Sequence, residues 1–98
     1  MVNQVVWTLK ARNELIDIIE YWIFRNKSNT FSLKLNSLIQ EQLKLVSEFP
    51  EIGKITDIPG VNVTIVNNYM LYYEIADNSI YVLTLRHTSR NPKTIRIK

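Results

Sequence analysis

The hydrophobic pattern of this 98-residue chain changes period once, at Pro50, and that change limits the folds open to it. Before Pro50, apolar residues recur at the 3.6-residue spacing of an amphipathic helix. After Pro50, three runs rich in β-branched and aromatic residues alternate with turn-forming residues. The first half therefore predicts helices, and the second half predicts an antiparallel sheet.

Two helices are predicted before Pro50, and a short strand, NQVVW, precedes them. Thr8 can cap the first helix, Leu9–Asn26, with its hydroxyl group. After the polar break NKSNT, the second helix spans Thr30 to Glu48. Because the connection is only about five residues long, we predict an antiparallel helix hairpin.

Three strands are predicted after Pro50, at Val63–Val66, Tyr69–Ala76 and Ile80–Arg86. The segments NN and DNS between them consist of residue types that form hairpin turns. PEIGKITDIPG, which lies before the first of these strands, contains glycine and proline and is assigned to a loop.

These elements predict one domain over residues 1–98, with a two-layer α+β fold. The helix hairpin would cover one face of a sheet made of the first strand and a three-stranded antiparallel meander. The other face would be open to water or to a partner. Candidates for that open face are Thr64, Tyr72, Glu74 and Arg86.

The composition excludes several functional classes. The chain has no cysteine, which excludes disulfides, thiolate nucleophiles and cysteine-based metal sites. One histidine and scattered carboxylates form no recognisable ligand set, so we predict no metal and no cofactor. Apolar runs are far shorter than the roughly 20 residues that span a bilayer, so no membrane association is expected. The N-terminus has no signal-peptide pattern, and we expect a bacterial cytoplasmic protein.

The positive charge is concentrated at the C-terminal end. Residues 1–85 contain seven basic and nine acidic residues, whereas residues 86–98 contain five basic residues and no acidic residue. Such asymmetry is typical of a surface that binds a polyanion or an acidic partner, although a solubilising tail has the same composition.

The ordered set of motifs resembles the RelE/ParE superfamily of type II toxin–antitoxin toxins, also known from plasmid stabilisation. The resemblance covers nearly the whole chain. It consists of VVWTLKARNELIDIIEYW, then LKLVSEFPEIGK, then PGVNVTIVNNYMLYYEIADNSIYVLTLRHTSRNP. It implies a toxin that inhibits growth until a cognate antitoxin neutralises it.

The resemblance implies two alternative targets. Members like ParE poison DNA gyrase by binding, and members like RelE cleave messenger RNA on the ribosome. Only the second alternative would make this chain an enzyme, a metal-independent endoribonuclease. A third alternative is an attenuated protein that still binds its antitoxin. Nucleolytic members place arginines where this chain has Asn62 and Met70, and this departure favours the ParE-like alternative.

Several residues remain candidates for a site. His87 is a candidate general acid or base, with Arg86 beside it. Candidates for contacting the target or nucleic acid are Lys54, Asn62, Tyr72, Arg90 and Lys93. Each has a structural alternative, since tyrosines in strands often pack in the core and a lone histidine is often structural.

The end of the first helix is a candidate surface for the antitoxin. The run WIF puts apolar side chains on more than one face, so Trp22 or Phe24 should lie outside the core. Packing of this helix end against the sheet is the alternative. A homodimer and a toxin–antitoxin hetero-oligomer are both compatible with the sequence.

Overall fold

A computed structural model describes residues 4–89 of the chain. Two of the predicted contact residues, Arg90 and Lys93, lie outside this part. The described elements, in chain order, are β1 (Gln4–Trp7), α1 (Leu9–Asn26), α2 (Thr30–Glu48), a 3₁₀ turn (Pro50–Ile52), β2 (Lys54–Ile55), β3 (Asn62–Val66), β4 (Tyr69–Ala76) and β5 (Ser79–His87). The fold is α+β, as predicted, with two helices and a five-stranded mixed sheet.

The strands are arranged in the order β1-β5-β4-β3-β2. The first strand, β1, runs parallel to β5, and every other neighbouring pair is antiparallel. The last described strand, β5, therefore lies inside the sheet, between β1 and β4. This position explains why its sequence is apolar along most of its length.

The assignment of residues 50–60 to a loop was wrong, because this segment contains β2. Lys54 and Ile55 pair with Val63 and Asn62 of β3. The connection closes through Thr56, whose N–H and hydroxyl both donate to the carbonyl of Val61, at 3.2 Å and 2.9 Å. A two-residue strand is too short to show a hydrophobic alternation, so no sequence pattern predicts it.

The two hairpin turns of the sheet contain residues with positive φ. Asn67 has φ 55°, Asp77 has φ 51° and Asn78 has φ 61°. Asparagine and aspartate tolerate this left-handed region better than other non-glycine residues. The registers Val66↔Tyr69 and Ala76↔Ser79 leave two-residue connections, which fix the pairing of all three strands.

Both helices pack on one face of the sheet and enclose the main core. Thr8 caps α1 as predicted, accepting the N–H of Ala11. The fully buried members of this core come from both helices and the central strands: Ala11, Leu35, Ile39, Val46, Leu71, Tyr73, Ile80 and Val82. Thr64 also belongs to this face, since it is buried and accepts a 2.7 Å hydrogen bond from Gln42 of α2. The expectation that Thr64 lies on the open face was therefore wrong.

The opposite face is not fully open. Val61, Tyr72 and Leu83 form a second buried cluster there, and Ile58 packs against it from the β2–β3 connection. Tyr72 is only 4% exposed, so its predicted place on an accessible face is wrong. The cause is the unpredicted β2 hairpin, whose connecting loop folds back over this part of the sheet.

No helix within residues 4–89 combines the length and the apolar character needed to cross a membrane.

Candidate functional site at the end of the last strand

The two predicted catalytic residues leave β5 on opposite faces of the sheet. Arg86 lies opposite Met70, which packs beside the second cluster, and His87 lies opposite Tyr69, which belongs to the main core. Successive residues of a strand alternate between faces, so this separation follows from their adjacency. Both residues nevertheless line one cleft at the strand end, between α1 and β5.

The imidazole of His87 is held by two local contacts. Its ring packs edge-on against Tyr69, with centroids 5.4 Å apart. Its Nδ1 accepts the backbone N–H of Ser89 at 3.1 Å and lies 2.8 Å from the Ser89 hydroxyl oxygen. Because Nδ1 accepts an N–H, the neutral ring carries its proton on Nε2.

A cleft of about 710 Å³ lies between α1 and the end of β5. Ile18, Trp22, Tyr69 and Leu85 supply apolar wall, and charged residues from α1 and β5 also line it. The Trp22 indole N–H donates to the Tyr69 hydroxyl at 2.8 Å, which fixes the two large rings relative to each other. The cleft also contains His87 and Arg86.

A polar cluster at one end of the cleft joins α1 to β5. The carboxylate of Glu14 accepts the Thr84 hydroxyl at 2.7 Å and the Leu85 N–H at 3.2 Å. Lys10 donates to the second Glu14 oxygen at 2.8 Å and to Thr84 at 3.0 Å. Thr84 has no exposed surface, so these bonds satisfy a polar side chain inside the fold.

The polar cluster coincides with an irregularity in the sheet. Tyr72 pairs with Thr84 and Tyr73 pairs with Val82, so Leu83 has no partner in β4. An extra residue of this kind bends a strand and changes which side chains face the helices. Sequence reasoning missed Glu14 and Thr84. The only signal in the sequence was Thr84, the single threonine in the run IYVLTL, which is otherwise apolar.

The predicted contact residues on β2, β3 and β4 do not converge with His87. Lys54 is exposed on the edge strand β2, and Asn62 is half-buried at the start of β3. Tyr72 lies in the second cluster, where burial raises the pKa of its hydroxyl and the charge of Arg86 partly lowers it. Arg86 therefore lies close to the Tyr72 phenol.

The two predicted antitoxin contacts differ in environment. Trp22 is half-buried, packs against the main core and stacks at a tilt on Phe31, with centroids 4.9 Å apart. Phe24 is 85% exposed near the end of α1. The prediction that at least one apolar residue of this run lies outside the core agrees with these positions, while contact with an antitoxin stays a prediction.

Within residues 4–89, no group of three or more histidine, cysteine or acidic side chains is arranged to hold a metal ion.

The two-layer fold defines a class shared with solved toxin–antitoxin proteins. A chain of the chromosomal ParDE toxin–antitoxin system from P. aeruginosa superposes with a TM-score of 0.74 at 20% identity, covering 88% of this chain and 96% of that one. A chain of the RelBE2 toxin–antitoxin complex from Mycobacterium tuberculosis superposes with a TM-score of 0.63 at 18% identity, covering 89% and 99%. At these identities, the likeness is one of fold.

Sequence comparison assigns the chain to a family within this class. The toxin RelE2 of Caulobacter vibrioides is 25% identical over 87 residues, which cover 89% of this chain and 97% of that protein. The family model for the ParE toxin of the type II toxin–antitoxin system parDE matches residues 5–92. The chain therefore belongs to the ParE toxin family, within the RelE/ParE superfamily of type II toxins.

Proposed function

We propose that this type II toxin inhibits growth by binding its target rather than by cutting RNA, and that its target is DNA gyrase. The observation that carries the proposal is that Asn62 and Met70 stand where the nucleolytic pattern has arginines, so two expected cations are missing. Membership of the ParE family supports the same direction.

RNA cleavage without a metal requires several groups around one phosphate. A base must take the proton of the 2′-hydroxyl, an acid must protonate the leaving 5′-oxygen, and cations must match the charge of the transition state. These groups must lie within a few ångströms of the same phosphate, on one surface of the protein.

Several features of the described residues count against such a group of side chains. His87 is the only histidine of the chain, and its Nδ1 already accepts the Ser89 N–H. Asn62 and Met70 stand where the nucleolytic pattern has arginines, and the Met70 thioether cannot neutralise a phosphate. The Tyr72 ring is enclosed in the second cluster and is not available to stack on a base.

A toxin that acts by binding needs no catalytic groups at these positions. It needs an accessible, complementary surface, and the basic character of residues 86–98 together with the α1–β5 cleft offers one. The antitoxin would then act by covering that surface. The relative named RelE2 keeps messenger RNA cleavage as the competing possibility.

The experiment is induction of the toxin without its antitoxin, with pulse labelling of DNA and of protein. We expect DNA synthesis to fall first, together with an SOS response. An early fall in protein synthesis with cut messenger RNA would overturn the proposal. Growth that continues normally would indicate an attenuated toxin and would equally overturn it.

A charge reversal tests the surface. Replacing Arg86 and Arg90 by glutamate should abolish growth arrest, whereas reversing Lys44, an exposed lysine of α2, should leave it unchanged. Arrest that persists in the Arg86→Glu, Arg90→Glu variant would remove the basic C-terminal end from the proposed target surface.

A further inference from the structure

The sheet face opposite the helices carries a narrow row of three side chains near the β3–β4 turn. In the strand register, Ile65 of β3 pairs with Met70 of β4, and Met70 pairs with Arg86 of β5. Cross-strand partners direct their side chains to the same face, so these three lie side by side. Met70 packs against the second cluster, which identifies the face as the one away from the helices.

A second row lies beside the first, two residues away along each strand. Lys54 of β2 pairs with Val63 of β3, and Val63 pairs with Tyr72 of β4. Lys54 is exposed, whereas Val63 packs against the cluster that contains Tyr72. The two cations, Lys54 and Arg86, therefore stand at diagonally opposite corners of the two rows. Three strand spacings across and two residues along put these corners roughly 16 Å apart.

The centre of the two rows is apolar and held in place. Ile65 is 57% exposed, although it lies in the middle of a sheet. The Tyr72 hydroxyl donates to the Met70 sulfur at 3.7 Å, which fixes the thioether beside Ile65. Burial raises the pKa of the Tyr72 hydroxyl and the charge of Arg86 partly lowers it, so the guanidinium lies near the same face. Residues 58–73, which supply this centre, contain no charged side chain.

This surface has the chemistry of a protein contact rather than of a nucleic-acid contact. The Ile65 side chain and the Met70 thioether can neither donate a hydrogen bond to a phosphate nor stack on a base. Tyr72, whose ring could stack, is only 4% exposed. An apolar centre that contains methionine, with charged groups confined to its rim, is the usual composition of a protein–protein interface.

We propose that these two rows are the surface through which the toxin contacts gyrase, an inference that rests on the proposed function. The gyrase surface presents apolar side chains to Ile65 and Met70, and carboxylates toward Lys54 and Arg86. The apolar centre supplies affinity, and the two cations orient the partner. Glu74, two residues beyond Tyr72 on β4, is the acidic residue of the same face and marks the side from which carboxylates are repelled.

The chain contains a matched control for Ile65. Ile55 is 89% exposed, but it pairs with Asn62, which in turn pairs with the main-core residue Tyr73. Its side chain is therefore directed to the helix side of the sheet. The substitutions Ile65→Glu and Ile55→Glu make the same chemical change at two exposed positions, one inside the proposed surface and one outside it.

A second pair of variants tests the apolar centre at Met70. Met70→Arg introduces a cation between Ile65 and Tyr72, whereas Met70→Leu keeps the position apolar. Met70→Arg should bind purified gyrase at least about tenfold more weakly than Met70→Leu, because its charge must lose water at the contact. Equal affinities, measured by fluorescence anisotropy on variants with matching thermal unfolding, would contradict an apolar contact at this position.

The rim charge is tested by Lys54→Glu, with Lys44→Glu on the exposed side of α2 as the control of equal charge change. Lys54→Glu should weaken gyrase binding about three- to tenfold at low salt, and the loss should shrink at high salt. Lys44→Glu should stay within about twofold of the unmodified toxin. An equal loss for both variants would show that only net charge matters and would remove Lys54 from the surface.

The deciding experiment titrates the unmodified toxin and the two isoleucine variants into a gyrase supercoiling assay. We expect Ile65→Glu to need at least about tenfold more protein for half-inhibition, and Ile55→Glu to stay within about twofold. Equal potency of Ile65→Glu and the unmodified toxin would overturn the inference and leave the gyrase proposal standing.

Two other outcomes would also decide against the surface. An unmodified toxin that does not inhibit gyrase would overturn the proposed function and the inference with it. Full gyrase inhibition by Ile65→Glu, combined with weaker antitoxin binding or with loss of self-association in sedimentation, would identify the antitoxin or a second copy as the occupant and would overturn the inference alone.

Discussion

The two faces of the sheet differ in how they are closed. On the helix side, α1 and α2 cover a continuous core that extends from Ala11 to Leu85. On the other side, only three residues are buried, Val61, Tyr72 and Leu83, and Ile58 of the β2–β3 connection packs on them beside neighbouring strand residues. Burial of apolar area is the main source of stability, so most of the folding free energy should come from the helix side.

This difference directs attention to the ends of the strands rather than to the faces. Neither face offers a broad open platform, because the helices cover one face and the second cluster, with Tyr72, lies on the other. The accessible concave surface lies instead where β5 extends past β1 beneath α1. In β5 (Ser79–His87), we therefore assign the stability of the core to the first part of the strand and the proposed recognition of a partner to its end.

The largest expected effect comes from the same substitution, leucine to alanine, made on each face of the sheet. Leu71→Ala removes a fully buried side chain from the main core and should lower the free energy of unfolding by about 3–4 kcal/mol. Leu83→Ala removes the same atoms from the thinner cluster and should cost about 2 kcal/mol or less, since the loop can close over the space. Chemical denaturation measures both. Equal losses would show that the two faces are equally well packed.

The next effect concerns the contact that joins the 3₁₀ turn to the main core. A methyl group on Gly53 would collide with the hydroxyl of Tyr73, which is fully buried and donates to the Pro50 carbonyl at 3.0 Å. Gly53→Ala should therefore cost about 2 kcal/mol. The double variant Gly53→Ala, Tyr73→Phe should cost less than the sum of the single variants, because the phenylalanine lacks the colliding oxygen. Strict additivity in denaturant titrations would argue against the collision.

A smaller effect tests the polar connection between α1 and β5. Glu14→Gln keeps the size of the side chain but weakens its bonds to Thr84, Leu85 and Lys10, and should cost about 1 kcal/mol. Glu20→Gln, on the exposed side of the same helix, is the matched control and should change stability by less than about 0.5 kcal/mol. Thermal unfolding distinguishes them, and similar melting temperatures for the two variants would contradict a role for Glu14.

The smallest effect is the pH dependence of the two buried tyrosines, one from each face. Burial raises the pKa of both Tyr72 and Tyr73. Arg86 partly lowers the first, while a hydrogen bond from the Gly53 backbone lowers the second and Glu51 raises it. A raised pKa means that the unfolded chain releases these protons first. Stability should thus be fully present below about pH 10 and should fall as the pH rises further.

Phenylalanine variants check this dependence. Tyr72→Phe and Tyr73→Phe should each make stability fall less steeply above pH 10, as measured by denaturation between pH 8 and 11. A slope that is unchanged in both variants would show that other groups are responsible.

Sequence reasoning predicted the elements that have a periodic hydrophobic pattern or characteristic turn residues. The helical period over Leu9–Asn26 and Thr30–Glu48 gave the helix bounds found in the structure, and the turn residues Asn67 and Asp77 placed the hairpins. These signals are local, so neighbouring residues suffice to read them.

The parts of the fold and of the site that were not predicted depend on contacts between residues far apart in the chain. Such contacts leave no pattern in neighbouring residues. The strand β2 is two residues long and exists only because it pairs with β3. Glu14, which accepts hydrogen bonds from Thr84 and Leu85 beside the register shift, is about 70 positions earlier in the chain. For the same reason, the sequence alone could not show that Arg86 and His87 both line the cleft between α1 and β5.

The most direct test of the central claim uses purified toxin, separated from its antitoxin, in two parallel assays. One follows supercoiling of relaxed plasmid DNA by gyrase, and the other follows messenger RNA on programmed ribosomes. We expect inhibition of gyrase, with relief on adding antitoxin, and intact messenger RNA. Cleavage of the messenger RNA with unaffected gyrase would contradict a binding toxin and would require His87 and Arg86 to meet around one phosphate.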